Sequence, residues 1–154
     1  MDSSLLHTLD RAFNPRGIAV VGASNKPATF GYLFTRHLIN YGFPGQIYPV
    51  NPGESTVQGL TAYRNLDAIP GEVDIVICCL PATMVAGLLR ECRSKGVTLV
   101  HIFTGRLSET GRADARDLEM AILEQARQLG IRLIGPNCIG LYHPRHGVAW
   151  DYGF

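Results

Sequence analysis

The chain has 154 residues, a length suited to one domain with a sizeable core. A net charge of +1, with no basic tract of useful length, excludes a strong electrostatic case for nucleic acid or an acidic membrane surface. No apolar run approaches a membrane span, and Leu5, Leu6, Leu9 and Phe13 are spaced helically rather than as a signal peptide.

In chain order, Ser4 to Phe13 reads as a short amphipathic helix, followed by a turn at Asn14-Pro15-Arg16-Gly17. Ile18 to Val21 is apolar throughout, which predicts a strand buried on both faces, as in a parallel sheet. It breaks at Gly22-Ala23-Ser24-Asn25-Lys26. After Gly31, residues Leu33, Phe34, His37, Leu38 and Tyr41 mark one helical face. Glycine and proline in Tyr41-Gly42-Phe43-Pro44-Gly45 stop that helix. Gln46 to Val50 is a second strand, and Pro49, which lacks an N–H, belongs at a strand end or an edge. Asn51-Pro52-Gly53 is then a turn.

Residues 59–69 are weakly patterned and read as a loop with one short turn of helix. Asp74 to Leu80 is the clearest strand and ends at Pro81. Val85, Leu88, Leu89 and Cys92 predict a helix that Lys95-Gly96 closes, and Thr98 to Phe103 predicts another strand. Thr104 to Gly111 is polar and loop-like. A helix from about Ala113 to Leu129 leads through Gly130 to a last strand, Ile131 to Ile134, and a sharp turn at Gly135-Pro136-Asn137-Cys138. Leu141 to Phe154 shows no period. It reads as the start of a linker or as an interface tail, with Trp150, Tyr152 and Phe154 either covering a neighbouring domain or loose.

Alternating strands and helices imply right-handed crossovers and a parallel sheet covered on both sides. The expected fold is α/β, a Rossmann-like doubly wound domain. Ligands bind such folds at the carboxyl ends of the strands. The polar turns at Gly22, Asn51, Pro81 and Thr104 all fall there. The Gly22 turn, where a strand hands over to a helix, is a natural anion site, because free N–H groups and the positive end of the helix dipole face it.

A nicotinamide dinucleotide is the first candidate, and two features weigh against it. The dinucleotide fingerprint needs glycine at the first, third and sixth positions of the turn, which here hold Gly22, Ser24 and Pro27. It also needs an acid at the end of the second strand for the ribose hydroxyls, where Asn51-Pro52 stands. A longer turn containing Lys26 suits a bulkier phosphate ligand. Cys78 and Cys79 are strand neighbours pointing to opposite faces, Cys92 is helical and Cys138 lies in a loop. None has zinc-site spacing, so reduced thiols in a cytoplasmic protein are expected.

Gly22-Ala23-Ser24 with Gly31, Asn51-Pro52, a strand ending in Leu80-Pro81-Ala82, Gly105 to Glu109-Thr110-Gly111, and Gly135-Pro136-Asn137-Cys138-Ile139-Gly140 occur in that order. As a set, over roughly Phe13 to Tyr142, they resemble the coenzyme A-binding domain of the NDP-forming acyl-CoA synthetases. That superfamily includes the succinyl-CoA synthetase alpha subunit, ADP-forming acetyl-CoA synthetases and related protein lysine acetyltransferases. The resemblance implies that the Gly22 turn, with Ala23, the Ser24 hydroxyl and Gly31, holds phosphate. It implies a phosphate charge partner in Lys26, a nucleotide beside Asn51 and Pro52, and a pantetheine arm running past Pro81, Thr104 and Gly105. Asn137 and Cys138 would lie toward the thiol end. Gly105-Arg106-Leu107-Ser108-Glu109 departs from the family pattern by one extra residue and an arginine in place of an aromatic, so the role of Glu109 does not carry over directly.

Complete members of the superfamily turn acid, CoA and ATP into acyl-CoA, ADP and phosphate through a phosphorylated histidine in a flavodoxin-like domain and an ATP-grasp domain. The resemblance implies such domains downstream or in a partner chain. None of the five histidines lies in a glycine-rich loop, so binding without turnover is expected of these residues. Two alternatives stay open: a stand-alone CoA-binding regulator or acetyltransferase domain, and an NAD(P)-dependent oxidoreductase domain. Plainer readings also exist: Ser24 as a helix cap, Lys26 and Arg106 as solvated charges, Cys138 as a nucleophile or a bystander, and His101 as a satisfied structural histidine.

Overall fold

Strands and helices alternate along residues 3–150, the part of the chain that the computed structural model describes. Helix α1 (Ser3–Phe13) precedes β1 (Gly17–Val21), α2 (Phe30–Asn40) and β2 (Gln46–Val50). A small hairpin, β3 (Thr56–Val57) and β4 (Leu60–Thr61), leads to β5 (Ile75–Cys78), α3 (Ala82–Lys95) and β6 (Leu99–Ile102). Then come α4 (Ala113–Gln128), β7 (Arg132–Ile134), and a second hairpin of β8 (Tyr142–His143) and β9 (Val148–Ala149).

The main sheet is parallel throughout, in the order β2-β1-β5-β6-β7. Chain order therefore reverses between β1 and β5: β1 connects outward to β2, whereas β5 runs on to β6 and β7. A crevice opens at the carboxyl ends of strands flanking such a reversal.

Side-chain alternation divides the core between the two faces of the sheet. Ala19, Val21, Val76, Cys78, Val100 and Ile102 point to one side, against Val85, Leu88 and Leu89 of α3 and Ile122 and Ala126 of α4. Ile18, Val20, Ile75, Ile77 and Leu99 point to the other, against Phe34 and Leu38 of α2 and Val148 and Trp150 near the end of the described chain. Each of the large apolar side chains removed from water contributes about 1.5–3 kcal/mol. A sheet clad on both sides explains why its strands are apolar at every position.

Pro49 lies in β2, an edge strand, as its missing N–H requires. At the opposite end of β1, the Arg16 N–H and guanidinium donate to the nearly buried Asp74 carboxylate, which pins the start of the strand. Helix α1 forms as its pattern predicts and buries Ala12, but Leu6, Leu9 and Phe13 are left exposed. No described helix is long and apolar enough to cross a membrane.

Two expectations are corrected. The stretch predicted as a loop with a helical turn begins inside the β3–β4 hairpin, and no helix forms across residues 59–69. Two-residue strands are too short to show a period. The second correction concerns the tail. Its described end is not loose: Val148, Ala149 and Trp150 are completely buried, and Trp150 packs against His101 of β6. Tyr152 and Phe154 lie outside the described residues.

Candidate functional site

The strand reversal places Gly22, at the end of β1, directly against Cys79, at the end of β5. Gly22 has φ +88°, and a Cβ there would stand 3.1 Å from the Cys79 carbonyl oxygen. Gly31 lets α2 close on the same turn, since a Cβ there would come within 1.9 Å of the Gly22 carbonyl oxygen. Both glycines are thus required by geometry.

Gly22 does not itself offer an N–H, because that group donates to the Val50 carbonyl at 3.0 Å. The next three, those of Ala23, Ser24 and Asn25, have no acceptor among the described residues. Successive uncommitted N–H groups in a turn form an anion-binding concavity. The Ser24 hydroxyl accepts the Lys26 N–H at 3.0 Å and retains its own hydrogen to donate. Ser24 is therefore not the helix cap; Thr29 is, accepting from the Tyr32 N–H. The start of α2 borders the cleft, so its dipole adds to the turn.

Side chains from elsewhere brace this turn. The Asn51 amide donates to the Ala23 carbonyl at 2.8 Å and its oxygen accepts the Gly53 N–H at 2.9 Å. Asn25 reaches the β3–β4 hairpin, donating to Thr56 O at 2.9 Å and accepting from Gln58 N at 2.9 Å. A carboxylate at Asn51 could not make the first of these bonds. The residue that argued against a nicotinamide ribose site is thus a structural donor.

A cleft of about 800 Å³ runs from this turn, lined by Gly22, Ser24, Lys26, Gly31, Asn51, Pro81, Thr104 and Gly105 among the predicted residues. A second depression of about 650 Å³ shares Gly22, Asn51 and Leu80 with it and adds Pro52. Ala23 is completely buried and lines neither depression. Asn137 adjoins the cleft: its N–H donates to Thr104 O at 3.1 Å, and its side-chain oxygen faces Gly105. Cys138 does not reach the lining. Its thiol donates to Gly140 O at 3.5 Å, and its carbonyl contacts His101 Nε2 at 2.9 Å, so no base addresses the sulfur.

Thr104 has a building role. Its hydroxyl donates to Leu80 O at 2.6 Å, tying the ends of β5 and β6 together beneath the cleft. Glu109 closes the following loop by accepting the N–H groups of Arg106 and Leu107. Cys78 and Cys92 are buried core thiols, and burial raises the first and pushes the second up to about 12. Cys79 is half-buried and lines the cleft, and desolvation raises its thiol as well.

Several lining residues escaped the sequence reading. Phe30 and Phe103, with ring centroids 4.0 Å apart, form an apolar wall. Arg64 and Arg90 border the second depression, joining Lys26 and Arg106 as four cationic side chains against the acids Glu54 and Glu91. None of the four cations makes an ion pair with a described residue. Lone arginines scattered along a sequence give no local signal; only the fold gathers them.

Comparison with known proteins agrees with this geometry. Residues 16–144 match the model of the CoA binding domain family. The chain is 47% identical over 133 residues to the alpha subunit of ADP-forming acetate-CoA ligase II from Pyrococcus furiosus, covering 86% of this chain and 29% of that protein. To the alpha subunit of ligase I from the same organism it is 39% identical over 140 residues, covering 88% of this chain and 30% of that protein. A solved acetyl-coenzyme A synthetase 1 from Ca. Korarchaeum cryptofilum, in complex with phosphate and ADP, superposes with a TM-score of 0.88 at 34% identity, over 94% of this chain and 31% of that one. The chain thus spans about 30% of the length of these relatives. With a Rossmann-like parallel sheet and a family match across most of its length, the chain belongs to the CoA binding domain family.

Proposed function

We propose that the carboxyl-edge cleft binds coenzyme A, with its pyrophosphate on the turn after Gly22. The observation that carries this reading is the turn after Gly22, where the Ser24 N–H has no acceptor among the described residues and Ser24, Lys26 and the start of α2 line the cleft together. The excess of cations along both depressions suits a ligand with three phosphate groups. A cleft of about 800 Å³ also fits a large cofactor, since ligand pockets run from roughly 300 to 1,000 Å³. On this reading Asn51 and Pro52 flank the nucleotide, while Pro81, Thr104, Gly105 and the Phe30–Phe103 wall line the pantetheine path. Asn137 stands at the thiol end, and Cys138 acts only through the backbone of its turn.

In the whole protein, this domain would present CoA to an NDP-forming acyl-CoA synthetase reaction, in which acid, CoA and ATP become acyl-CoA, ADP and phosphate. The phosphorylated histidine and the nucleotide would belong to flavodoxin-like and ATP-grasp domains of the same or a partner chain. The residues described here hold the cofactor.

Calorimetric titration with CoA, NADH and NADPH tests the reading. CoA is expected to bind and the nicotinamide cofactors are not; nicotinamide binding without a response to CoA would overturn it. Gly22→Val is expected to abolish CoA binding while the protein still melts cooperatively, because the new side chain meets Cys79 and blocks approach to the turn. Normal CoA binding by that variant would move the phosphate site elsewhere.

A further inference from the structure

We propose that Trp150 and His101 form a relay that positions the Asn137 turn at the end of the cleft, a role that rests on the coenzyme A reading above. His101 is completely buried in β6, facing the α2 side of the sheet. Its Nε2 lies 2.9 Å from the carbonyl oxygen of Cys138. A carbonyl only accepts, so Nε2 carries the hydrogen. The indole Nε1–H of Trp150 points at Nδ1 from 3.3 Å. An indole N–H only donates, so Nδ1 carries none.

The two partners together specify a single neutral tautomer. A proton on Nδ1 would set one N–H against another in a site closed to water, so this imidazole is not poised for acid-base work. It acts as a strut between two segments. One end is the tail hairpin, where the backbone N–H of Trp150 donates to Leu141 O at 3.2 Å and closes the strap on itself. The other end is the turn at residues 135–138, whose Asn137 touches the cleft loop through Thr104 O and Gly105. That turn is gripped from the cleft side by Thr104 and from the core side by His101. Loss of the indole donor leaves Nδ1 unpartnered and the ring held from one side only, which loosens its grip on the Cys138 carbonyl.

The experiment compares the chain with Trp150→Phe, His101→Gln and His101→Leu. Trp150→Phe keeps a ring and removes the N–H. A glutamine at position 101 can donate to the Cys138 carbonyl and accept from Trp150, whereas leucine can do neither. Each protein is titrated with CoA and with adenosine 3′,5′-bisphosphate, which lacks the pantetheine arm. The imidazole tautomer is read from long-range nitrogen–proton spectra.

The unchanged protein is expected to show the Nε2–H form. Trp150→Phe should keep the Nε2–H form, since the Cys138 carbonyl still accepts from it, and show a CoA affinity about 5–10-fold weaker, the effect of about one lost hydrogen bond, with bisphosphate binding unchanged. His101→Leu should lose as much, and His101→Gln should restore CoA affinity to within about twofold of the unchanged protein. Equal losses on both ligands, an Nδ1–H tautomer in the unchanged protein, failure of the glutamine rescue, or full affinity in His101→Leu or Trp150→Phe would each overturn the relay. Failure of the unchanged protein to bind CoA would instead overturn the function reading, and the relay's role with it, although the tautomer would still be readable.

Discussion

Asn51 shows how one side chain can decide between readings for a reason the sequence does not display. At the end of β2 an acid would suit a nicotinamide ribose, and its absence was legible directly from Asn51-Pro52. What Asn51 does instead was not legible, because its partner, Ala23 O at 2.8 Å, lies 28 residues away in sequence. Asn51→Asp replaces that donor with an acceptor facing a carbonyl, in a half-buried site. It is expected to cost about 1–3 kcal/mol of stability, measured by urea unfolding, and to weaken CoA binding without creating affinity for NADH. An Asn51→Asp protein that gained NADH binding and kept full stability would contradict this account of the turn. Gly22 was more legible, since a glycine that ends an apolar run has few other uses. Thr104 and Ser24 were found as site residues, but their hydroxyl directions depended on neighbours that only the fold supplies.

Elements were legible where they are long and periodic. Apart from Gly17, read as a turn but starting β1, the strands of the main sheet lie within the stretches read as strands, and α3 and α4 follow their apolar spacing closely. The β3–β4 hairpin was missed because two residues per strand carry no period; its position is held by Asn25. The start of α2 was blurred for a similar reason. Serine and threonine both make good caps, and Ser24 precedes a polar run in which only tertiary contact selects Thr29. Removing that cap with Thr29→Ala should cost about 0.5–2 kcal/mol, read as a lower melting temperature. Ser24→Ala should leave the melt nearly unchanged while weakening CoA. The reverse pattern would make Ser24 the cap after all.

For the molecule as a whole, the tail adds Val148 and Trp150 to the core on the α2 side of the sheet, and Trp150 with Phe34 encloses His101. Aromatic residues without a period read either as an interface with a neighbouring domain or as loose, because nothing local tells an indole bound for the same chain's core from either. Its burial has a consequence for acid stability. Desolvation brings the imidazole down to about 4, against the opposing hydrogen bond to Cys138, from an unperturbed value of about 6.5. The unfolded chain takes up this proton and the folded chain resists it. Stability from this site is therefore complete above about pH 6.5 and falls as pH drops toward 4, by on the order of 3 kcal/mol in all. Asp74 acts lower on the scale. Burial pushes its carboxyl upward, but the Arg16 hydrogen bonds and charge outweigh that and hold it below the usual carboxylate range. Its contribution is present above the unfolded carboxylate value near 4 and is lost as pH falls through the lower folded value. Unfolding free energies measured between pH 8 and 2 should thus decline in two limbs. His101→Gln should flatten the limb between about pH 6.5 and 4 and leave the deeper one, and Asp74→Asn should do the opposite. A single limb confined below about pH 4 in the unaltered protein would mean that His101 titrates without cost, and that the tail does not seal it from water.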